Sequence, residues 1–176
     1  MSTAAVEYVT AGFVLVPLPQ GEKAPTHSAW NIRERCITDP SQATRINGSG
    51  VGLAHAFSGT CAVDIDDYTA ARKLLENNGV DLDALLAADD AVQIASGREN
   101  RAKLVYRMAD PLPSKTIKNE RGKDAINFRC ASDDGKTIQD VLPPSIHPDT
   151  GKPYEWRGDW RRLPEIPEAL LKVWRG

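Results

Sequence analysis

Apolar and polar positions follow two different periods along this chain. In YTAARKLLENNG (68–79) the apolar residues recur at helical spacing and Asn78-Gly79 offers a stop, so a helix is expected there. LDALLAA continues as a second short helix. AAVEYVTA is a weaker helical stretch, and LPEIPEALLKVW predicts a closing helix with Pro167 near its first turn. Asp39-Pro40-Ser41 could start another. Elsewhere the pattern shortens to that of strands. FVLVPL (13–18) reads as a strand that Pro17 keeps at a sheet edge or end. VGLAHAF (51–57) and TCAVDID (60–66) read as strands joined through Ser58-Gly59 as a hairpin. AVQIAS (91–96) and AKLVYRM (102–108) flank the turn GREN, and AINFRCA and TIQDVLPP flank SDDGK. QGEKAPTHSAWN and the basic stretch PLPSKTIKNERGKD (111–124) read as loops. About seven strands and three or four helices, without regular βαβ alternation, predict an α+β fold with a mixed or antiparallel sheet and helices on one side.

Composition narrows the class. The chain has 176 residues, 41% apolar and 26% charged, which suits one globular domain spanning 1–176. No apolar run approaches the roughly 20 residues of a membrane span. The N-terminal stretch lacks a basic region and carries Glu7, so no signal peptide and a cytoplasmic location are expected. Cys36, Cys61 and Cys130 are far apart and odd in number, and read as buried thiols.

The net charge of −2 argues against a globally basic nucleic-acid binder. Its distribution is uneven. Residues 61–90 hold eight acidic side chains against Arg72 and Lys73, whereas residues 98–123 hold eight basic ones against Glu99, Asp110 and Glu120. A metal site beside a polyanion-binding surface has this pattern, and so do two unrelated solvated faces.

The candidate chemistry starts at CAVDIDD (61–67). On a strand, Asp64 and Asp66 project to the same side, about 7 Å apart at their backbones. Two such carboxylates suit Mg²⁺ or Mn²⁺ and phosphoryl transfer; equally, they could mark a strand end reaching solvent. DIDDYT is also similar to the DxDxT loop of haloacid-dehalogenase-type phosphatases, with Asp64 as nucleophile, but that reading expects a later acidic pair and the only Gly-Asp here is Gly158-Asp159. SGRENRAKLVY places Arg101 and Lys103 on one strand face after a turn whose N–H groups could cradle phosphates. PPSIHPDTGKPYEW carries Ser145, His147, Tyr154 and Trp156 in a Pro-stiffened segment suited to contacting a ligand.

Taken in order, GFVLVPLPQGEKAP, Trp30, GVGLAHAFSGTCAVDIDD, SGRENRAKLVYR and FRCASDDGKTIQDVLPPSIHPDTGKPYEW resemble the bifunctional DNA primase/polymerase N-terminal domain, the Prim-Pol branch of the archaeo-eukaryotic primase superfamily. The resemblance covers roughly residues 5–165. It implies an RRM-like catalytic core, two-metal nucleotidyl transfer with Mg²⁺ or Mn²⁺, a single-stranded DNA template, nucleoside triphosphates, and a phage, prophage or plasmid replication system, often with a replicative helicase in the same or a neighbouring chain. The family's first motif, DxD or DxE, matches Asp64 and Asp66. Its second has a His where this chain has Lys103, which can still hold a phosphate. Its third ends in an acid where this chain has Asn127, which can offer a metal an amide oxygen but no charge. Arg101, Arg129, Ser145 and His147 fall where the family binds nucleotide, and Asp140 is a candidate substitute for the missing acid. The resemblance therefore implies a primase/polymerase; the Asn127 and Lys103 departures favour an alternative, a degenerate, non-catalytic module binding nucleotide or single-stranded DNA.

Overall fold

The computed structural model describes residues 1–46 and 50–176. Helix α1 (Ser2–Thr10) leads into strand β1 (Leu15–Leu18), and the short helix α2 (Pro40–Ala43) follows a long loop. Asp39 and Gln42 close a capping box on α2, as the Asp-Pro-Ser signature predicts. Strand β2 (Gly50–Ala54), the helical turn α3 (His55–Ser58) and β3 (Thr60–Ile65) come next. Then come α4 (Tyr68–Asn77), α5 (Leu82–Ala87), β4 (Gln93–Ala95), β5 (Ala102–Arg107), β6 (Lys115–Lys118) and β7 (Asp124–Arg129). The chain finishes with β8 (Gln139–Val141), β9 (Glu155–Arg157) and α6 (Glu168–Arg175).

The strands form two antiparallel sheets, β1-β2-β8 and β6-β7-β3-β5-β4-β9, which gives the expected α+β class. Pro17 lies in β1, at the edge of the smaller sheet. In the larger sheet one face is apolar. Val63 stands between Leu104 and Phe128, and Ile65 pairs with Ile126. These residues pack beneath Ala71 and Leu75 of α4, Leu82 of α5, and Leu170 and Trp174 of α6. The Trp174 ring stacks on Phe128 at 5.2 Å. Each fully buried leucine in this layer contributes about 1.5–3 kcal/mol. The second core joins α1, β1, β2 and β8 and takes Val105 from the opposite face of β5. All three cysteines are free and buried.

Two expectations fail. β2 and β3 are not a hairpin: Ser58-Gly59 ends α3, with Gly59 at φ +66° as its left-handed cap, and the strands fall in different sheets. Ser58 is spent inside this corner, its hydroxyl donating to the Ala54 carbonyl at 2.6 Å and accepting from Val14 N–H at 2.9 Å. Nor is 111–124 all loop. Lys115–Lys118 is an edge strand paired with β7, with Lys115 and Ile117 half-buried and Thr116 and Lys118 exposed. The Lys115 ammonium donates to the Val173 carbonyl, so its stem covers apolar surface. Strand β9 was not anticipated at all.

Candidate nucleotide-binding cleft

Directly opposed residues of antiparallel strands point to the same face. Asp64 of β3 is opposed by Lys103 of β5 and Asn127 of β7, and Ala62 by Arg129. The face of the sheet away from α4, α5 and α6 is therefore polar at one end. It opens into a cleft of about 470 Å³ lined by Asp64, Asp66, Arg101, Lys103, Arg129, Asp140 and His147, and by Lys23, Arg98, Glu99, Gln139, Tyr154 and Arg157. Of the residues expected to act here, Ser145, Asn127 and Trp156 are outside this lining. Ser145 is 4% exposed; its hydroxyl accepts from Val51 N–H at 3.1 Å, fastening its loop to β2. Asn127 lies beside Asp66.

The carboxylate pair is held differently at each position. Burial pushes the Asp64 carboxyl up to about 6, against the pull of Lys103 and with the help of Asp140 and Asp66. Asp66 accepts from Arg101 at 3.2 Å and from the Asn127 amide nitrogen at 2.7 Å. The Asn127 carbonyl accepts from the Thr116 hydroxyl. The third Asp of the run does something else: Asp67 caps α4 through Ala70 N–H and accepts from Asn119 on the β6–β7 turn.

Asp140, 4% exposed, gathers the cations. It accepts from Lys103 at 2.7 Å, from Arg129 Nε at 3.0 and 3.1 Å, and pairs with His55 Nε2 at 2.8 Å. Burial opposes its charge, but Lys103, Arg129 and His55 outweigh it and hold the carboxyl well below its usual range. Burial also opposes the Lys103 charge, and Asp140 and Asp64 more than restore it. His55 is fully buried, which lowers its pKa and favours the neutral ring. Its Nδ1 then takes the Thr60 hydroxyl, 2.9 Å away, while Nε2–H faces Asp140. His147 is neutral for the same reason, burial first and Lys23 second. Its Nδ1 accepts from Asp149 N–H at 3.0 Å, which fixes the tautomer with the proton on Nε2.

Sequence reasoning underrated Asp140 and missed His55, Lys23 and Gln139. A charged residue inside the apolar strand TIQDVL was the available signal for Asp140, because a buried carboxylate requires partners. Lys23 and Gln139 carried no such mark; they meet only through a hydrogen bond from the Gln139 amide to the Lys23 carbonyl.

This donor set does not fit a pair of divalent cations. Among the described residues no group of three or more His, Cys, Asp or Glu side chains is arranged to hold a metal. Asp140 has its oxygens committed to three cationic or N–H partners, and Asn127 turns an N–H, not an oxygen, toward Asp66. The phosphatase reading fares no better, because Asp159 is not among the cleft residues and caps a 3-10 turn through Arg161 N–H.

Residues 5–169 match the bifunctional DNA primase/polymerase N-terminal family, and the chain belongs to it. No curated protein matches the chain. Among the described residues no helix is long and apolar enough to cross a membrane.

Proposed function

We propose that this chain is a nucleotide- and single-stranded-DNA-binding member of the primase/polymerase family whose capacity for nucleotidyl transfer is impaired. The family supplies the substrate classes, nucleotides and DNA. The observation that carries the reading is the substitution at Asn127. Opposite Asp64, where a third carboxylate would complete a metal site, an amide donates to Asp66 and neutralises no cation. Lys103, Arg101, Arg129 and His147 remain available to the nucleotide. Lys103 and Arg129 offer charge-assisted hydrogen bonds to phosphate, and the His147 Nε2–H offers a neutral donor.

Primer synthesis and extension on single-stranded DNA, with Mg²⁺ or Mn²⁺, test this. The wild type is expected to bind nucleotide and synthesise little, and Asn127→Asp to raise synthesis by about tenfold or more. Robust wild-type synthesis that Asp64→Ala with Asp66→Ala abolishes would sink the impaired reading. It would establish the second one, an active primase/polymerase using Mg²⁺ or Mn²⁺, which the shared cleft face of Asp64 and Asp66 favours.

A further inference from the structure

We infer that Asp67 and Asn119 are positioning residues for DNA: they form a latch that fixes the β6–β7 turn against the start of α4 and sets the groove between them for a single strand. The inference rests on the single-stranded-DNA-binding reading above and adds what positions the strand.

β6 is the edge strand of its sheet, so the turn that joins it to β7 has the sheet on one side only. Pairing slips between Ile117 and Lys118, which bends the hairpin there. Residues 119–123 are organised by one side chain. The Asn119 Oδ1 accepts from Arg121 N–H at 2.9 Å and from Lys123 N–H at 3.0 Å, and its backbone N–H donates to the Lys123 carbonyl at 2.7 Å. The other end of the same amide leaves the hairpin: Nδ2 donates to Asp67 Oδ2 at 2.9 Å. Among the described residues this is the one hydrogen bond that ties 119–123 to the protein beyond the hairpin. Asp67 is fixed in turn through Oδ1, which accepts from Ala70 N–H at 3.2 Å as the cap of α4. The Asn119 oxygen therefore shapes the turn, and its nitrogen docks it.

The docked turn makes a geometry that DNA can use. Between α4 and the turn lies a groove of about 780 Å³, with Lys73 on the helix wall and Lys118 and Arg121 on the hairpin wall, over Ala70, Leu74 and Ala125. Cations on both walls suit a polyanionic strand. A turn pinned on folding presents its cations without a further loss of freedom when the strand arrives. Asp67 directly follows Asp66, which lines the cleft, so one contact also fixes the spacing between groove and cleft. The carboxylate itself has the wrong sign for DNA, which separates its positioning role from plain electrostatics.

The test is the affinity of the full chain for a fluorescein-labelled oligothymidylate, read by anisotropy across a salt series. Asp67→Asn keeps an oxygen for the Ala70 cap but turns an N–H toward the Asn119 N–H. It removes a negative charge, so electrostatics alone would tighten binding. Loss of the latch is expected instead to weaken binding by about threefold or more and to flatten the slope of log K against log salt by about 0.7 or more, the share of one phosphate contact. Adding Asn119→Asp supplies a carboxylate that still accepts from the turn amides and now also accepts from the amide at 67. The double variant should return to within about twofold of wild-type affinity. Asp67→Asn that binds as tightly as wild type, or tighter, overturns the latch, and so does a double variant no better than the single one. If Arg121→Ala with Lys123→Ala weakens binding in that case, the DNA-binding reading stands without the latch. Wild-type protein that binds no oligonucleotide overturns both. A measurement on the wild type alone covers a variant that fails to fold: ¹⁵N relaxation should give residues 119–123 backbone order parameters of about 0.8 or more, and lower values overturn the latch.

Discussion

Asp140 is costly to bury and more costly to remove. A lone carboxylate at 4% exposure would be neutralised or solvated; this one is stable as an anion because Lys103, Arg129 and His55 converge on it. Replacing it by alanine strands two half-buried cations. Asp140→Ala should therefore destabilise the fold by about 2–4 kcal/mol, below the full cost of breaking a buried pair because both cations keep some solvent. The pH dependence has a definite sign. A carboxyl whose folded pKa is depressed stabilises the protein above its unfolded pKa of about 3.9, and that contribution is lost as pH falls further. Thermal melts should show the gap between wild type and variant complete at neutral pH and narrowing below about pH 4; a gap that stays constant to pH 3 would contradict the ion-pair account. The DxD pair was legible in the sequence because strand alternation alone puts Asp64 and Asp66 on one side. Their environment was not legible. That Asp66 would be tied to Arg101 and Asn127, 35 and 61 residues away in sequence, depends on strand pairing that local pattern does not encode.

Strand β9 shows what a local reading misses at the level of elements. It has three residues, Glu155–Arg157, and no alternation long enough to announce it. Its pairing with β4 and the aromatic contacts around it make it a strand. Trp156 donates to the Tyr8 hydroxyl at 2.7 Å, and Tyr8 meets Trp160 edge-on at 4.7 Å. Gly158 follows at φ +95°, so close to the neighbouring chain that a Cβ would lie 2.1 Å from the Ala91 carbonyl oxygen. Gly158→Ala therefore meets both left-handed strain and a backbone clash that no rotamer relieves, and should cost about 2–4 kcal/mol. A denaturant melt of the variant checks this; a midpoint within error of wild type would mean the β9 edge yields freely. Long periodic elements such as α4, by contrast, were readable with their stops, because Asn78-Gly79 acts locally. The β2–β3 corner and β6 were misread for opposite reasons. Gly59 caps a helical turn that looked like a hairpin loop, and the lysines of KTIK disguised an edge strand as polar loop.

Over the whole molecule, the two charge-rich stretches of the sequence do not fold into two opposed surfaces. Part of the acidic run is structural: Asp67 and Asp81 cap α4 and α5, and Asp83 pairs with Arg72 at 2.9 Å, whereas Asp64 and Asp66 line the cleft. The basic run divides. Arg98, Arg101 and Lys103 enter the cleft, Lys115 bonds the α6 backbone, and Lys118, Arg121 and Lys123 edge a second groove that meets the cleft at Asp66 and Arg101. Of that second set Lys118 is paired with Asp124, whereas Arg121 and Lys123 are exposed at the β6–β7 turn. A strand of DNA following the groove would meet these two through its phosphates, since the groove offers Asn100 and Asn119 but no aromatic platform for bases. The prediction follows from counterion release. Each phosphate contact on a single strand contributes about 0.7 to the slope of log K against log salt, so Arg121→Ala with Lys123→Ala should flatten that slope by about 1–1.5. Affinity for single-stranded DNA should fall with it, while nucleotide binding in the cleft stays unchanged. Fluorescence anisotropy of a labelled oligonucleotide across a salt series measures the first, calorimetry the second. A slope equal to that of the wild type would place the DNA path elsewhere on the protein.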